Sequence, residues 1–338
     1  MEHWSICGEA LRPGEKRQTV LRVPMDGLDV PVSVPGAPPA REKGYPIPAT
    51  LIRGAEPGKT LLVSASIHSG EYVGIPAVIR EARELDPARM RGNVIFLHCV
   101  NTSGVLSHHY RLVPEDGFNL NGGYPGRSDG TAGERIAAWF VREIFPRVDF
   151  ILDLHGGSPE EVMTPLFFFP HAERVRALSL AAARATNVPY ALESYARGGE
   201  YSYAANAFGI PGLLLERGNG LYCTEEEIRA ERDDIRLLME HLGICPAGEG
   251  IFDRSLRRRT FRETIYLESG VQGLWYPAVK RDTDVRKGDL LGVVEDYFGR
   301  PLAEYRAEAD ARVLYHTLGL AVNPGDALVA YSRLDSEE

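Results

Sequence analysis

The stretch LLVSASIHSGE, residues 61–71, decides the fold and carries the first candidate site residues. Its first half is an apolar run that is typical of a buried β-strand. The run ends in His68-Ser69-Gly70-Glu71, and a helical pattern follows from about Tyr72 to Leu85. The sequence therefore predicts a strand, a polar turn and a helix in direct succession.

The polar turn offers two side chains of the kind that bind metal ions. His68 and Glu71 are three positions apart, so in a turn or a first helical turn both can face one point. An imidazole and a carboxylate can hold one metal ion together, and Zn²⁺ accepts both ligand types. The HxxE pattern is short, and an ordinary surface turn can also contain it.

Two further predicted strands end in residues of the same chemistry. Phe150–Leu154 leads into His155, and Gly212–Leu215 leads into Glu216. Ligands of open parallel sheets bind at the carboxyl ends of the strands, so one shared site is expected there. Two histidines and one carboxylate leave an open position on zinc for water, and Glu216 is the remaining carboxylate that can act as its base.

The order of these motifs resembles the succinylglutamate desuccinylase/aspartoacylase family, a branch of the zinc carboxypeptidase fold. The resemblance covers about residues 49–242, and four segments carry it: residues 68–71, 111–126 and 153–155, and Glu216. It implies that His68, Glu71 and His155 hold a single zinc ion per chain and that Glu216 is the general base. It also implies hydrolysis of the amide bond of a small N-acyl amino acid or related amide.

Residues 111–126 form a long segment without helical or strand periodicity, and such loops are usually functional. Arg111 can bind a carboxylate or polarise a carbonyl, and the resemblance implies a catalytic role for it. Asn119 and Asn121 are candidate substrate-binding residues. Gly122 departs from the family pattern, because the family has there an arginine that binds the substrate carboxylate.

Either another arginine replaces the one missing at this position, or the substrate lacks that carboxylate. The candidates are Arg127, Arg197 and Arg217, and Arg217 directly follows the predicted base. Tyr203 lies near the start of a predicted helix that opens after a glycine pair, and it is a further candidate for the pocket wall. Arg217 and Tyr203 thus join the two asparagines as predicted substrate-binding residues.

Strands and helices alternate from about Ala49, which predicts an α/β fold with a mixed, mostly parallel sheet and helices on both faces. The predicted catalytic domain spans residues 49–245. Residues 1–48 are predicted as an N-terminal β segment, with short strands at Gln18–Val23 and Leu28–Val34 and a Pro-rich connection at Gly36–Pro48.

Residues 246–338 alternate short apolar runs with glycine turns, which predicts a small all-β domain. The segment 284–292 resembles biotinyl/lipoyl barrel-sandwich domains. Neither lysine of this part of the sequence, Lys280 or Lys287, has the local setting of a carrier lysine. The domain is therefore expected to shape the mouth of the site or an interface.

The composition limits the classes of partner and the cellular compartment that are expected. The formal net charge of −9 argues against nucleic acid as a general partner. No signal-peptide pattern and no apolar stretch of about 20 residues is found, which argues against a membrane protein. Four scattered cysteines form no CxxC pair, and these features together favour the cytoplasm. The sequence leaves room for a homo-oligomer.

Two alternatives to the deacylase interpretation stay open at this point. The first is a zinc metallopeptidase of the carboxypeptidase type, although Gly122 counts against it because such an enzyme needs a carboxylate clamp. The second is a non-catalytic protein that binds a small molecule on the same fold. Such a protein would be expected to have lost a metal ligand or the base, and all four positions are present.

Overall fold

A computed structural model describes residues 4–30, 32–36 and 44–333, and a nine-stranded mixed sheet forms its centre. Five of its eight strand pairings are parallel and three are antiparallel, which confirms the predicted mostly parallel sheet. In spatial order its strands are β12 (Arg259–Phe261), β10 (Tyr190–Ser194), β9 (Leu166–Pro170), β11 (Gly212–Glu216), β7 (Phe150–His155), β5 (Glu56–Ala65), β6 (Arg91–Leu97), β4 (Tyr45–Arg53) and β3 (Glu15–Val23).

Helices cover both faces of this sheet, as the sequence predicts. In the described part of the chain they are α1 (Gly74–Glu84), α2 (Thr102–Ser107), α3 (Ala132–Trp139), α4 (Glu173–Arg184), α5 (Glu200–Phe208) and α6 (Glu225–His241). Successive residues of β5 enter separate cores because side chains alternate along a strand. Leu62 packs with residues of α3 and α5, whereas Leu61 and Val63 pack with residues of α1, α4 and α6.

The N-terminal segment is continuous with the central sheet. β1 (Trp4–Ile6) and β2 (Glu9–Leu11) form a hairpin, and β3 then pairs antiparallel with β4 along its whole length. The prediction of a strand at Leu28–Val34 is wrong for the residues described there, 28–30 and 32–34, which form no strand. Pro31 interrupts that run and has no N–H group to donate to a neighbouring strand. The predicted connection at Gly36–Pro48 lies mostly outside the described residues, and its end belongs to β4.

The C-terminal part is all-β, as predicted, with two antiparallel sheets around their own core of Trp275, Leu328 and Tyr331. Its strands are β13 (Thr264–Glu268), β14 (Gly273–Pro277), β15 (Asp284–Val285), β16 (Leu290–Glu295), β17 (Pro301–Arg306), β18 (Ala311–Thr317), β19 (Ala321–Val322) and β20 (Ala327–Arg333).

Two strands connect the C-terminal part to the rest of the molecule. β8 (Glu161–Met163) follows β7 in the chain but pairs with β18. β12 lies beyond residue 246 and pairs in parallel with β10 of the central sheet. The C-terminal sheets are therefore held against the edge of the central sheet at which β7 ends.

Candidate active site

The first two candidate ligands lie in a buried turn directly after β5. Ser66 adopts the left-handed backbone conformation, with φ of 62°, and turns the chain between Ala65 and His68. The N–H of Glu71 then donates to the carbonyl of His68 at 3.3 Å. Both side chains are buried, with exposed fractions of 8% for His68 and 6% for Glu71. A surface turn, the alternative for this pattern, is thereby excluded.

The carboxylate of Glu71 joins the two histidines. Its Oε1 lies 2.9 Å from Nδ1 of His68, and its Oε2 lies 2.8 Å from Nδ1 of His155 at the end of β7. The candidate ligand atoms of all three residues lie within 4.8 Å of one another. The structure therefore brings the three predicted metal ligands together.

The opposite ring nitrogen of each histidine faces an oxygen atom. Nε2 of His68 lies 3.0 Å from Oδ1 of Asn119, and Nε2 of His155 lies 3.1 Å from Oδ1 of Asp153. In metal sites such oxygens fix the orientation of the ring and leave the other nitrogen for the ion. Both Nδ1 atoms are therefore the ones placed to bind a metal ion.

The charge distribution at this cluster favours a cation. Burial alone would raise the pKa of Glu71, but the imidazoles of His68 and His155 hold it at about 2. Burial would lower the pKa of His155, but the carboxylates of Asp153 and Glu71 raise it well above its usual value. No lysine or arginine pairs with Glu71 or Asp153 among the described residues. The donor set and its negative surroundings fit a divalent metal ion.

Glu216, the predicted base, ends β11 beside this cluster. β11 and β7 are parallel neighbours, and Glu216 is in register with His155. Its Oε2 atom is buried and has no hydrogen-bond partner among the described residues. Burial raises the pKa of Glu216 well above its usual value, and the charge of Glu71 raises it further. A carboxylate in this environment is suited to accept a proton.

A second acidic pair, for which the sequence predicts no role, lies beneath the histidines. Asp153 and Glu200 are both completely buried. Ser64 donates to Oε1 of Glu200 at 2.7 Å. Burial, and then the charge of Asp153, raises the pKa of Glu200 well above its usual value. The sequence could have indicated Asp153, because it lies two residues before His155 in β7 and residues i and i+2 of a strand share one face. No signal in the sequence connects Glu200 to that strand.

The loop of residues 111–126 lies against the cluster through its asparagines. Asn119 accepts a hydrogen bond from the N–H of Asn121 at 3.0 Å in addition to its contact with His68. Arg111 is exposed, and no hydrogen bond or ion pair of its guanidinium is found among the described residues. Burial raises the pKa of Tyr315 in β18, and the charge of Arg111 has a smaller, opposite effect on it.

Two of the predicted substrate-binding residues, Arg217 and Tyr203, make packing contacts. Arg217 is buried and forms an ion pair with Asp234 of α6. Arg217 lies one residue beyond β11, and its ion pair directs the guanidinium toward α6. Tyr203 packs in an aromatic cluster, with its ring stacked on Tyr124 at 6.2 Å between centroids. The structure gives both residues packing contacts, and their predicted substrate contacts stay predictions.

The other two candidate arginines differ in their surroundings. Arg127 is exposed and pairs with Asp129 at 3.3 Å. Arg197 is also exposed, and the next residue, Gly198, packs directly on Gly122: a Cβ atom at Gly198 would lie 2.6 Å from the carbonyl oxygen of Gly122. Of the three arginines, Arg197 is the one whose backbone adjoins the position of the missing family arginine.

These features define an α/β protein with a buried His–Glu–His constellation, able to hold a metal ion, at the carboxyl edge of its sheet. The family model of the succinylglutamate desuccinylase/aspartoacylase catalytic domain matches residues 57–242, more than half of the chain. The chain belongs to this family, which confirms the resemblance inferred from its motifs.

Comparison with individual proteins extends the similarity over most of the chain. An N-alpha-acetyl-L-2,4-diaminobutyric acid deacetylase of Halomonas elongata is 29% identical over 297 residues, which cover 85% of this chain and 86% of that protein. The product-bound structure of the ectoine utilization protein EutE (DoeB) of Ruegeria pomeroyi superimposes with a TM-score of 0.82 at 25% identity and covers 96% of both chains. A succinylglutamate desuccinylase/aspartoacylase structure of Rhodobacter sphaeroides gives a TM-score of 0.80 at 25% identity, with 95% of this chain and 96% of that chain covered.

The family and the deacetylase relative are named for the removal of acyl groups, which supports an amide-hydrolysing enzyme. Within the described residues, none of the helices combines the length and the apolar character that crossing a bilayer requires.

Proposed function

We propose that this protein is a zinc-dependent deacylase that hydrolyses the amide bond of a small N-acyl amino acid. The observation that carries the proposal is the convergence of His68, Glu71 and His155 beside Glu216 at the ends of adjacent strands. The names of the family and of its deacetylase relative support the same reaction type.

His68 and His155, through their Nδ1 atoms, and the carboxylate of Glu71 would hold a single zinc ion per chain. A zinc ion bound there would lower the pKa of a bound water molecule and polarise the substrate carbonyl. Asn119 and Asp153 keep the two imidazole rings in the orientation that this binding requires.

In the proposed mechanism Glu216 is the general base. Its carboxylate accepts a proton from the attacking water molecule and then delivers it to the leaving amine. The pKa of Glu216, raised by burial and by Glu71, allows the side chain to keep the proton until the amine leaves. Arg111 donates hydrogen bonds to the oxygen atom that becomes negatively charged in the transition state.

The proposed substrate carries a carboxylate on its amine side. Arg197 is the residue that we propose to bind this carboxylate in place of the family arginine, because its backbone adjoins Gly122. Asn121 is proposed to contact the substrate from the same side, since its Oδ1 atom lies against Gly199 at the start of α5. The diaminobutyrate named for the relative of Halomonas elongata contains such a carboxylate.

Hydrolysis of a panel of N-acyl compounds by the zinc-loaded protein tests this function. Half of the panel carries an α-carboxylate on the amine side and half carries a neutral amide there. We expect cleavage of the carboxylate set and a loss of at least tenfold in kcat/KM for the neutral set. Cleavage of C-terminal residues from peptides, without hydrolysis of acyl amino acids, would favour the carboxypeptidase alternative. Metal binding without any hydrolysis would favour a binding protein.

The charge and composition of the chain bear on its compartment and its partners. We propose a cytoplasmic enzyme whose partners are small molecules and not nucleic acids, in keeping with the net charge of −9. A homo-oligomer remains compatible with this function, and light scattering of the purified protein would determine the assembly.

A further inference from the structure

The backbone of Arg111 is held on both sides by residues that follow the central strands. The carbonyl of Tyr110 accepts a hydrogen bond from the N–H of Gly70 at 2.7 Å. The carbonyl of Leu112 accepts one from Nδ2 of Asn101 at 3.1 Å. The loop is thus anchored immediately before and immediately after Arg111, although the side chain of Arg111 is exposed.

Asn101 connects three segments of the chain at once. Its N–H donates to the carbonyl of Ser66, in the turn after β5, at 2.9 Å. Its Oδ1 accepts a hydrogen bond from the N–H of Gly104 at 3.1 Å and caps α2. Asn101 is completely buried, and the carbonyl of Leu112 is the acceptor for its Nδ2. One buried residue therefore joins the turn, the helix and the loop that carries Arg111.

The same loop packs directly on the turn of residues 68–71. A Cβ atom at Gly70 would lie 2.8 Å from Cβ of Tyr110, so only glycine allows the two segments to approach this closely. The hydroxyl of Ser69 donates to the carbonyl of His109. Since the turn and the loop are joined at successive residues, the loop adjoins the candidate metal ligands through its backbone.

We propose that Asn101 is a positioning residue that holds the backbone of Arg111 where its guanidinium can reach the developing oxyanion. This inference rests on the proposed deacylase function, in which Arg111 donates to that oxygen. Donors of this kind stabilise a transition state only if they are already in place, and a misplacement of about 1 Å can cost about 100-fold in rate. No hydrogen bond or ion pair of the guanidinium is found among the described residues, so its placement depends on the backbone.

The Asn101→Asp variant tests this directly, because it removes one hydrogen bond and keeps the other. Aspartate retains an oxygen acceptor for Gly104 and caps a helix as well as asparagine does, but its carboxylate cannot donate to Leu112. We expect kcat for an N-acetyl amino acid to fall about tenfold or more with KM within about twofold, because the oxyanion contact exists only in the transition state. Zinc content should equal that of the wild type.

Two further variants control for charge and for the chemistry of the substitution. Asn101→Ser keeps a capping oxygen without the negative charge and should show the same fall in kcat. Asn187→Asp is the matched control: Asn187 donates from Nδ2 to the carbonyl of Ile251 at 2.7 Å and accepts the N–H of Asp253 at 2.8 Å. These bonds lie outside the loop, so this control should keep wild-type kcat and KM. A normal kcat in both Asn101 variants would overturn the proposal.

A double-mutant cycle distinguishes positioning from a general loss of structure. If Asn101 acts through Arg111, Asn101→Asp should change kcat by less than about twofold in an Arg111→Ala background. Losses that multiply in the double variant would show that Asn101 acts by another route and would overturn the proposal. Wild-type kcat in Arg111→Ala alone would overturn it as well, since Asn101 would then have no catalytic contribution to position.

Hydrogen exchange separates this inference from the proposed function, because it needs no turnover. The amides of Gly70 and Val113 donate to the carbonyls of Tyr110 and Phe118 at 2.7 and 2.9 Å. Both amides should exchange at least about tenfold faster in the two Asn101 variants than in the wild type, and at the wild-type rate in the control. A protein that hydrolyses no acyl amino acid but shows this faster exchange would refute the deacylase function and support the anchoring by Asn101. An active wild type with unchanged exchange in the variants would refute the role of Asn101 alone.

Discussion

Oε2 of Glu71 lies 2.8 Å from Nδ1 of His155, and this contact joins the ends of β5 and β7. The same carboxylate reaches His68 with its other oxygen, so two strands and one turn contribute to a single cluster. A cluster of this kind, with two imidazoles and a carboxylate in a buried setting, is suited to zinc.

Replacing Glu71 by alanine should abolish stable metal binding. The variant removes one of three ligands and leaves two histidines without the carboxylate that joins them. The wild type should gain thermal stability when zinc is added, since an ion that binds only the folded state shifts the midpoint upward. Glu71→Ala should show neither this shift nor stoichiometric zinc by plasma mass spectrometry. Full zinc content in the variant would refute the ligand assignment.

Asn119→Ala should weaken metal binding without abolishing it. The substitution removes the acceptor at 3.0 Å from Nε2 of His68, and loss of such orienting contacts typically costs about 10- to 100-fold in metal affinity. Competition with a chromogenic chelator measures this change. Asn121 lies in the same loop and contacts neither histidine. The zinc affinity of the Asn121→Ala variant should therefore equal that of the wild type. Equal affinities for all three proteins would contradict the positioning role.

Arg197→Ala should raise KM for acyl amino acids about tenfold or more, because the proposed carboxylate contact is lost. Substrates whose carboxylate is converted to an amide should be affected little. Arg127→Ala serves as the control, since Arg127 is exposed and already pairs with Asp129. Steady-state kinetics on both substrate types checks this. An unchanged KM in Arg197→Ala would mean that another group binds the carboxylate.

Glu231 should make the stability of the protein depend on pH. This side chain of α6 is completely buried, and burial raises its pKa to about 8, although Arg217 acts in the opposite direction. The folded state therefore keeps a proton that the unfolded state releases above about pH 4.5. The contribution of Glu231 to stability is accordingly highest at low pH and declines between about pH 4.5 and 8.

The Glu231→Gln variant should lack this decline. Relative to the wild type, its free energy of unfolding should gain about 3 kcal/mol between pH 5 and pH 8. Urea unfolding at both values measures the difference. Glu226→Gln, an exposed position of the same helix, should follow the wild type at both values. A pH profile of Glu231→Gln parallel to the wild type would show that the pKa of Glu231 is the same in the folded and unfolded states.

The fold and the centre of the site were predictable because their signals are local. β5, β7 and β11 each contain a mostly apolar run. His155 and Glu216 end their strands, and His68 follows β5 by three residues. Parallel strands bring such ends to one edge, so the grouping followed from topology alone.

Other features depend on contacts between distant segments. The pairing of β8 with β18 attaches the C-terminal sheets to the segment that follows His155, and no local pattern of the sequence indicates it. Glu200 is likewise brought beneath His155 only by the packing of α5. The ion pair of Arg217 with Asp234 also depends on a distant segment, because Arg217 lies one residue beyond β11 and Asp234 lies in α6.

The Glu216→Gln variant shows whether Glu216 is the base of a hydrolytic metal site. Zinc content and hydrolysis of an N-acetyl amino acid should be measured on the same preparation. We expect unchanged zinc occupancy together with a fall in kcat of at least about 10²-fold, since the base is lost and the ligands remain. Wild-type turnover by the zinc-loaded variant would contradict this assignment.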